Sequence, residues 1–303
     1  MKKLFFFLIF VFAISLTCTI YLWFVYPQKI VQKYQAELYN LNNIPVLKSN
    51  EFFLDDLTLS ATSVYAIDLS SMTVLYEKDS QKSLYPASTS KMMTALVALD
   101  TFSLEKELMV RQEATVSGNK LSLKEGDLIS VKDLLAALLI FSANDSAYVL
   151  ANNDDLGTNN FIKKMNEKAL NLGLKQTHFV NPAGFDEDGQ LSTARDLSII
   201  ARELLRHEQL KQLVSTPYKQ IVGQNWSYDL YNSNQLLGQI QGVSGVKTGT
   251  TELAGEVLVT LIERDGHQIL ITLMNSQDRY QDTSKLIAWI LNNYEWKKLD
   301  QNS

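Results

Sequence analysis

Apolar residues divide the chain into segments of different kinds. The first is an unbroken block: residues 4–26 carry no charge and are mostly Phe, Leu, Ile and Val. As a helix this block would measure about 35 Å, enough to cross a bilayer core. Lys2 and Lys3 precede it, which favours an N-terminus kept in the cytoplasm. Residues 1–27 are therefore expected to be a membrane anchor or uncleaved signal, with the rest of the chain outside, on the cell-wall side. The competing reading is a cleaved signal peptide with Ala13 and Ser15 at the cut, but that would leave the apolar run 16–26 on the mature chain. A lipoprotein signal ending at Cys18 fits less well, because more apolar residues follow it.

Next, Ile30, Val31, Tyr34, Leu38 and Leu41 recur at helical spacing until Asn42, Asn43 and Pro45. Residues 28–57 are read as a juxtamembrane stalk, 58–296 as the folded catalytic body and 297–303 as a tail. Within the body, β-rich runs predict strands at 63–70 and 72–77, and again at 245–251, 256–263 and 267–274. Asp265-Gly266 is a hairpin signal between the last two. Helical periodicity follows Pro86, through Met92, Met93, Ala95, Leu96 and Leu99, and recurs at 131–141, 145–151, 160–172, 192–205 and 281–294. An early hairpin and late antiparallel strands thus bracket the helices. This predicts an α+β fold in which both ends of the body share one sheet.

Composition narrows the functional classes. The chain has 303 residues, 46% hydrophobic and 20% charged, as expected of a globular body. The net charge is -5 with no long basic run, which argues against nucleic-acid binding. Cys18 is the one cysteine, so neither a disulfide framework nor thiol catalysis in the body is available. His178, His207 and His267 are far apart and form no HExxH pair, so a zinc hydrolase has little support.

Candidate chemistry starts from Ser-x-x-Lys, which on a helix sets a hydroxyl and an amine one turn apart. A neutral lysine there can take the serine proton. Four such pairs occur, at Ser88, Ser103, Ser117 and Ser244. Ser117 and Ser244 lie beside glycine in loop-like sequence, and Ser103 begins a charged stretch. Only Ser88 opens an apolar helix, where the helix N-terminus favours a developing anion; an ordinary helix cap is the bland alternative. Ser-x-Asn occurs twice, at Ser142-Ala143-Asn144 and Ser117-Gly118-Asn119, and either alone reads as a polar helix boundary or loop. Lys247-Thr248-Gly249 falls on a predicted strand; Lys247 alone reads as a solvated residue, whereas a glycine in mid-strand often marks a ligand against the backbone.

Together and in this order, Ser-x-x-Lys, Ser-x-Asn and Lys-Thr-Gly form the signature set of penicillin-binding proteins and class A β-lactamases. The sequence resembles the low-molecular-weight penicillin-binding proteins, the serine D-Ala-D-Ala carboxypeptidases. The likeness extends through Pro86-Ala87-Ser88-Thr89-Ser90-Lys91-Met92-Met93-Thr94-Ala95, Asp133-Leu134-Leu135, Asn181-Pro182-Ala183-Gly184, Ser192-Thr193-Ala194-Arg195-Asp196 and Ala254-Gly255.

The resemblance implies a serine transpeptidase/β-lactamase-like fold, with an antiparallel sheet flanked by helices and a mostly helical subdomain beside it. It implies Ser88 as nucleophile and Lys91 as its base. Ser142 would relay a proton to the leaving D-alanine, and Asn144 would hold Lys91 and the substrate amide. Lys247, Thr248 and Gly249 would bind the substrate's end, with Arg279 completing a carboxylate clamp. Backbone N–H groups of Ser88 and Thr250 would form the oxyanion hole. No metal or organic cofactor is needed. The implied partners are a peptidoglycan stem pentapeptide ending in D-Ala-D-Ala, β-lactam antibiotics as covalent inhibitors, and the cytoplasmic membrane through residues 4–26. Many family members carry a second β-rich domain and a C-terminal amphipathic helix, which this sequence lacks after Tyr294; the N-terminal block is expected to replace that anchor. The rivals are a class A-like β-lactamase, a catalytically idle penicillin sensor or envelope scaffold, and a general esterase. The first needs a loop glutamate in a Glu-x-x-Leu-Asn run, which is absent between Asn144 and Lys247; Glu187 occupies that region without the context.

Overall fold

The structure, a computed structural model, describes residues 43–48, 57–111, 116–223 and 226–298. The anchor expected at 4–26 and the stalk helix expected at 30–41 lie outside these residues. Among the described residues no helix is long and apolar enough to cross a membrane. The described part of the stalk forms strand β1 (Asn43–Leu47), which pairs with the last strand, β11 (Tyr294–Lys298), as a two-stranded sheet. That strand replaces part of the tail expected at 297–303.

The main unit, residues 47–294, opens with a hairpin, β2 (Ser63–Asp68) and β3 (Val74–Lys78). A 3-10 turn, Ala87–Ser90, leads into α1 (Lys91–Thr101). Two three-residue strands follow, β4 (Glu107–Met109) and β5 (Leu128–Ser130), which pair with each other. Ser130 caps α2 (Val131–Ala136) by accepting from the Asp133 N–H. Helices α3 (Asn144–Asn152) and α4 (Thr158–Asn171) come next. Thr193 caps α5 (Ala194–Leu205) in the same way through the Asp196 N–H, and α6 (Glu208–Ser215) follows. A polar hairpin, β6 (Tyr218–Val222) and β7 (Ser227–Tyr231), precedes three long strands, β8 (Val243–Thr251), β9 (Gly255–Arg264) and β10 (His267–Ser276). Asp278 caps α7 (Arg279–Asn293).

The central sheet has the order β3-β2-β10-β9-β8, every pair antiparallel, so both ends of the body do share one sheet. Strand β10 is central, with Ile271 opposite Ala66 on one side and Thr260 on the other. Alternate residues serve opposite faces. Tyr65, Ile67, Val259, Leu261, Leu270 and Met274 belong to the large core they share with α1–α5. The intervening Val64, Ala66, Leu258, Ile271 and Leu273 are buried too, and α7 packs there with Leu286, Ile287 and Ile290. Burial on both faces explains why β9 and β10 read as continuous apolar runs.

The structure corrects three expectations. The helix expected at 131–141 is α for only its first part, and Ala137–Phe141 forms a wider π turn. That turn closes through the Ser142 and Ala143 N–H groups, which both donate to Ala137 O. Ser88 lies in the 3-10 turn rather than in the first turn of the α-helix itself. Helix α6 and both small hairpins were not predicted.

Candidate active site

The segment that carries Ser88 is held tightly from two sides. Ala87 has φ +49, a left-handed backbone, just before the serine. Glycine is required on both sides of this turn. A Cβ on Gly184 would fall 1.9 Å from Ala87 O, and one on Gly249 would fall 2.9 Å from the Ser88 nitrogen. Strand β8 and the 181–185 loop thereby press directly on the serine's backbone.

One turn further, fully buried Lys91 donates from Nζ to Ser88 Oγ at 2.7 Å and to Ala183 O at 2.7 Å. Ala183 is fixed by Asn181, whose Oδ1 accepts from the N–H groups of Ala183, Gly184 and Phe185. Burial, then the charge of Lys247, holds the Lys91 ammonium well below its ordinary pKa, against the opposing pull of Asp145. In the neutral amine, the lone pair faces a serine hydroxyl at hydrogen-bond distance. That is the geometry of a nucleophile and its base.

The opposite wall carries Ser142. The π turn ends with Ser142 in a left-handed conformation, φ +67, and a single such turn inside a helix commonly re-aims a side chain at a functional site. Ser142 Oγ accepts from Lys247 Nζ at 2.9 Å, and the same ammonium donates to Thr248 O at 3.0 Å. Lys247, on β8, is buried; burial and then the Arg279 charge lower its pKa to about 7. Asn144 does not hold Lys91 as expected. Its Nδ2 donates to Ser117 O at 2.7 Å and its backbone N–H to Asn119 O at 2.7 Å, because the 117–119 loop lies directly over it. The second Ser-x-Asn therefore also reaches the site, with Gly118 and Asn119 in its wall.

At the far end, Thr248 Oγ1 and Ser233 Oγ are 2.6 Å apart. Arg279 begins α7, and its Nη1 donates to Gly249 O at 2.8 Å and Thr250 Oγ1 at 2.5 Å. Its guanidinium lies over the Tyr280 ring, 4.9 Å from the centroid. Arg279, expected to complete a carboxylate clamp, lines the cleft and is tied to the strand beside it, because the start of α7 holds it against β8.

These groups enclose a cleft of about 370 Å³ lined by Ser88, Ser142, Asn144, Thr248, Thr250 and Arg279 among others. Among the described residues no carboxylate lines it, and Glu187 is exposed outside it. Among the other Ser-x-x-Lys serines, Ser103, Ser117 and Ser244 are not in the cleft lining, and Ser244 is a β8 residue. Ser233, Ala183 and Tyr280 were missed. Nothing in the bare sequence marks Ser233, and Ala183 acts through its backbone, which no residue type reveals.

Similarity to known proteins agrees with this geometry. A family model described as D-alanyl-D-alanine carboxypeptidase matches residues 50–278. D-alanyl-D-alanine carboxypeptidase DacF of Bacillus subtilis is 33% identical over 251 residues, 79% of this chain and 64% of that protein. The chain thus spans under two thirds of that relative's length. The crystal structure of the Streptomyces K15 DD-transpeptidase matches with a TM-score of 0.73 and 30% identity, over 77% of this chain and 98% of that one. Penicillin-binding protein D2 of Listeria monocytogenes, in its ampicillin-bound form, matches with a TM-score of 0.69 and 31% identity, over 78% of this chain and 99% of that one.

Proposed function

Since the chain belongs to the D-alanyl-D-alanine carboxypeptidase family, we propose that it removes the terminal D-alanine from peptidoglycan stem peptides through an acyl-enzyme on Ser88. The observation that carries this reading is the 2.7 Å contact between Ser88 and a buried, charge-averse Lys91.

In the proposed reaction, Ser88 Oγ attacks the carbonyl carbon between the two D-alanines while its proton passes to Lys91 Nζ. The oxyanion takes hydrogen bonds from the Ser88 and Thr250 N–H groups. The C–N bond then breaks and the leaving amine takes a proton through Ser142, which Lys247 restores along their 2.9 Å hydrogen bond. The proton that Lys91 took from Ser88 then passes through solvent to Lys247, which resets both amines. Water cleaves the ester, losing its proton to neutral Lys91, which hands it to the departing Ser88 Oγ. Lys247, Thr248 and the Arg279–Thr250 pair supply positive charge and donors for the substrate's free carboxylate, which would otherwise be an unpaired anion in a closed cleft.

A β-lactam would acylate Ser88 in the same way, as the ampicillin-bound relative suggests. With no carboxylate among the described residues that line the cleft and no Glu-x-x-Leu-Asn run between Asn144 and Lys247, the penicilloyl ester is expected to be long-lived, unlike a β-lactamase intermediate. We further propose that residues 4–26 hold the catalytic unit at the outer surface of the cytoplasmic membrane, on the strength of their unbroken apolar character. Mass spectrometry of products from a synthetic pentapeptide ending in D-Ala-D-Ala tests the activity: loss of one alanine is expected, and an intact peptide or internal cleavage would overturn the proposal.

A further inference from the structure

The rim of the cleft contains a side chain that no motif covers. Ser233 lines the cleft beside Thr248, Thr250 and Arg279. Its backbone is pinned on both sides. Its N–H donates to Ile140 O at 3.1 Å, and its carbonyl accepts from the Tyr280 hydroxyl at 2.9 Å. Asn232 Nδ2 bridges Val214 O and Thr216 O, at 3.2 and 3.0 Å. Asn234 Nδ2 donates to Gly245 O at 3.0 Å, which ties the segment to the strand that carries Lys247 and Thr248. Two asparagines, their side chains committed to backbone, thus hold one short side chain in the cleft wall.

The proton count shows what that side chain does. Each hydroxyl has one proton to donate. Ser233 Oγ and Thr248 Oγ1, 2.6 Å apart, use one proton between them and leave the other free, and both residues line the cleft. Thr250 Oγ1 accepts from Arg279, so its own proton is free as well. The rim therefore presents two hydroxyl protons, enough for the two oxygens of one carboxylate, beside the charge of Arg279.

We infer that Ser233 is a specificity-determining positioning residue: through Thr248 it orients a donor toward the free C-terminal carboxylate of the substrate. This rests on the carboxypeptidase reading above. It concerns the choice between peptides with a free C-terminal acid and those whose end is blocked.

The experiment measures kcat and KM of the full chain on a peptide ending in D-Ala-D-Ala and on its C-terminal amide, for wild type, Ser233→Ala, Ser233→Thr and Ser233→Cys. Ser233→Ala is expected to lower kcat/KM on the acid roughly five- to tenfold, mainly through KM, and on the amide by less than about twofold. Ser233→Thr, which keeps the hydroxyl, should restore most of the loss. Ser233→Cys keeps the shape but hydrogen-bonds weakly, so it should behave like alanine, and it carries the test if the alanine variant does not fold. If wild type treats acid and amide alike, the carboxylate reading of the site fails and this inference with it. If wild type discriminates but the variants lose equal activity on both peptides, Ser233 is only structural and the inference alone is overturned.

Discussion

Two buried charged side chains lie on different faces of the sheet. Asp282, on α7, is 2% exposed; its carboxylate accepts from the Ser60 and Ala61 N–H groups and from the Ser60 and Ser276 hydroxyls, at 2.6–3.0 Å. Lys91, at the start of α1, is 0% exposed and has one hydroxyl and one carbonyl. Burial alone would raise the Asp282 pKa, but hydrogen bonds from Ser276, Ser60 and Ala61 override it, and the carboxyl sits below its ordinary value. At Lys91 burial goes unopposed except by Asp145, whose oxygens are already taken by the N–H groups of Leu121, Leu123 and Ser146. One charge is built to stay and hold the molecule together. The other is denied the partners that would stabilise it, which leaves a reactive amine at the cost of stability.

The comparison can be broken most directly at Lys91. Lys91→Met is expected to lower acylation by at least about a thousandfold while raising unfolding free energy by about 1–2 kcal/mol. A lysine with a lowered folded pKa loses stability as pH falls from the range of a free lysine through its own folded value. The gain on removing it should therefore appear below the pH range of a free lysine and grow as pH falls toward the folded value. Denaturant unfolding and β-lactam labelling measure the two effects; a destabilised variant would contradict the comparison.

Asp282→Asn should do the opposite. It should lower stability by about 2–4 kcal/mol at pH 7 and leave turnover per folded molecule unchanged. A carboxylate with a lowered folded pKa stabilises above its unfolded value and loses this as pH falls through the folded one. The gap between wild type and variant should therefore narrow as pH falls below about 5.

A smaller effect sharpens the electrostatics. Lys247, its pKa lowered to about 7, must be charged to attract a carboxylate. The kcat/KM for the acid substrate should accordingly fall above pH 7, and that for the amide should fall less. After burial, the Arg279 charge is the cause of the lowered value, so Arg279→Ala should move this alkaline limb up by roughly half a pH unit or more. An unmoved limb would mean that another group controls it.

How much of this could be read from the sequence follows the same division. Strands β9 and β10, helices α1 and α5, and the sharing of one sheet by both ends of the body were legible, because burial enforces continuous apolar runs in the strands and a helical period in the helices. Strands β6 and β7 were not: each buries one residue, Ile221 and Leu230, and one apolar position sets no period. Ser88, Ser142 and Lys247 were legible through their spacing. Ser233 and the carbonyl of Ala183 were not, since each owes its place to contacts about 15 and 92 residues away in the chain. Asn144 meets the 117–119 loop rather than Lys91 for a related reason. Residue type tells what a side chain can bond, and only the fold tells which partner reaches it first.

The central claim is that Ser88, with Lys91 beside it, is the nucleophile, and the most direct measurement is the site of covalent attachment. The full chain is incubated with a penicillin, digested and mapped by mass spectrometry. One adduct is expected, on the peptide that contains Ser88, persisting for at least minutes after removal of free drug and absent in Ser88→Ala. An adduct on Ser103, Ser117 or Ser244, or one that survives Ser88→Ala, would contradict the account.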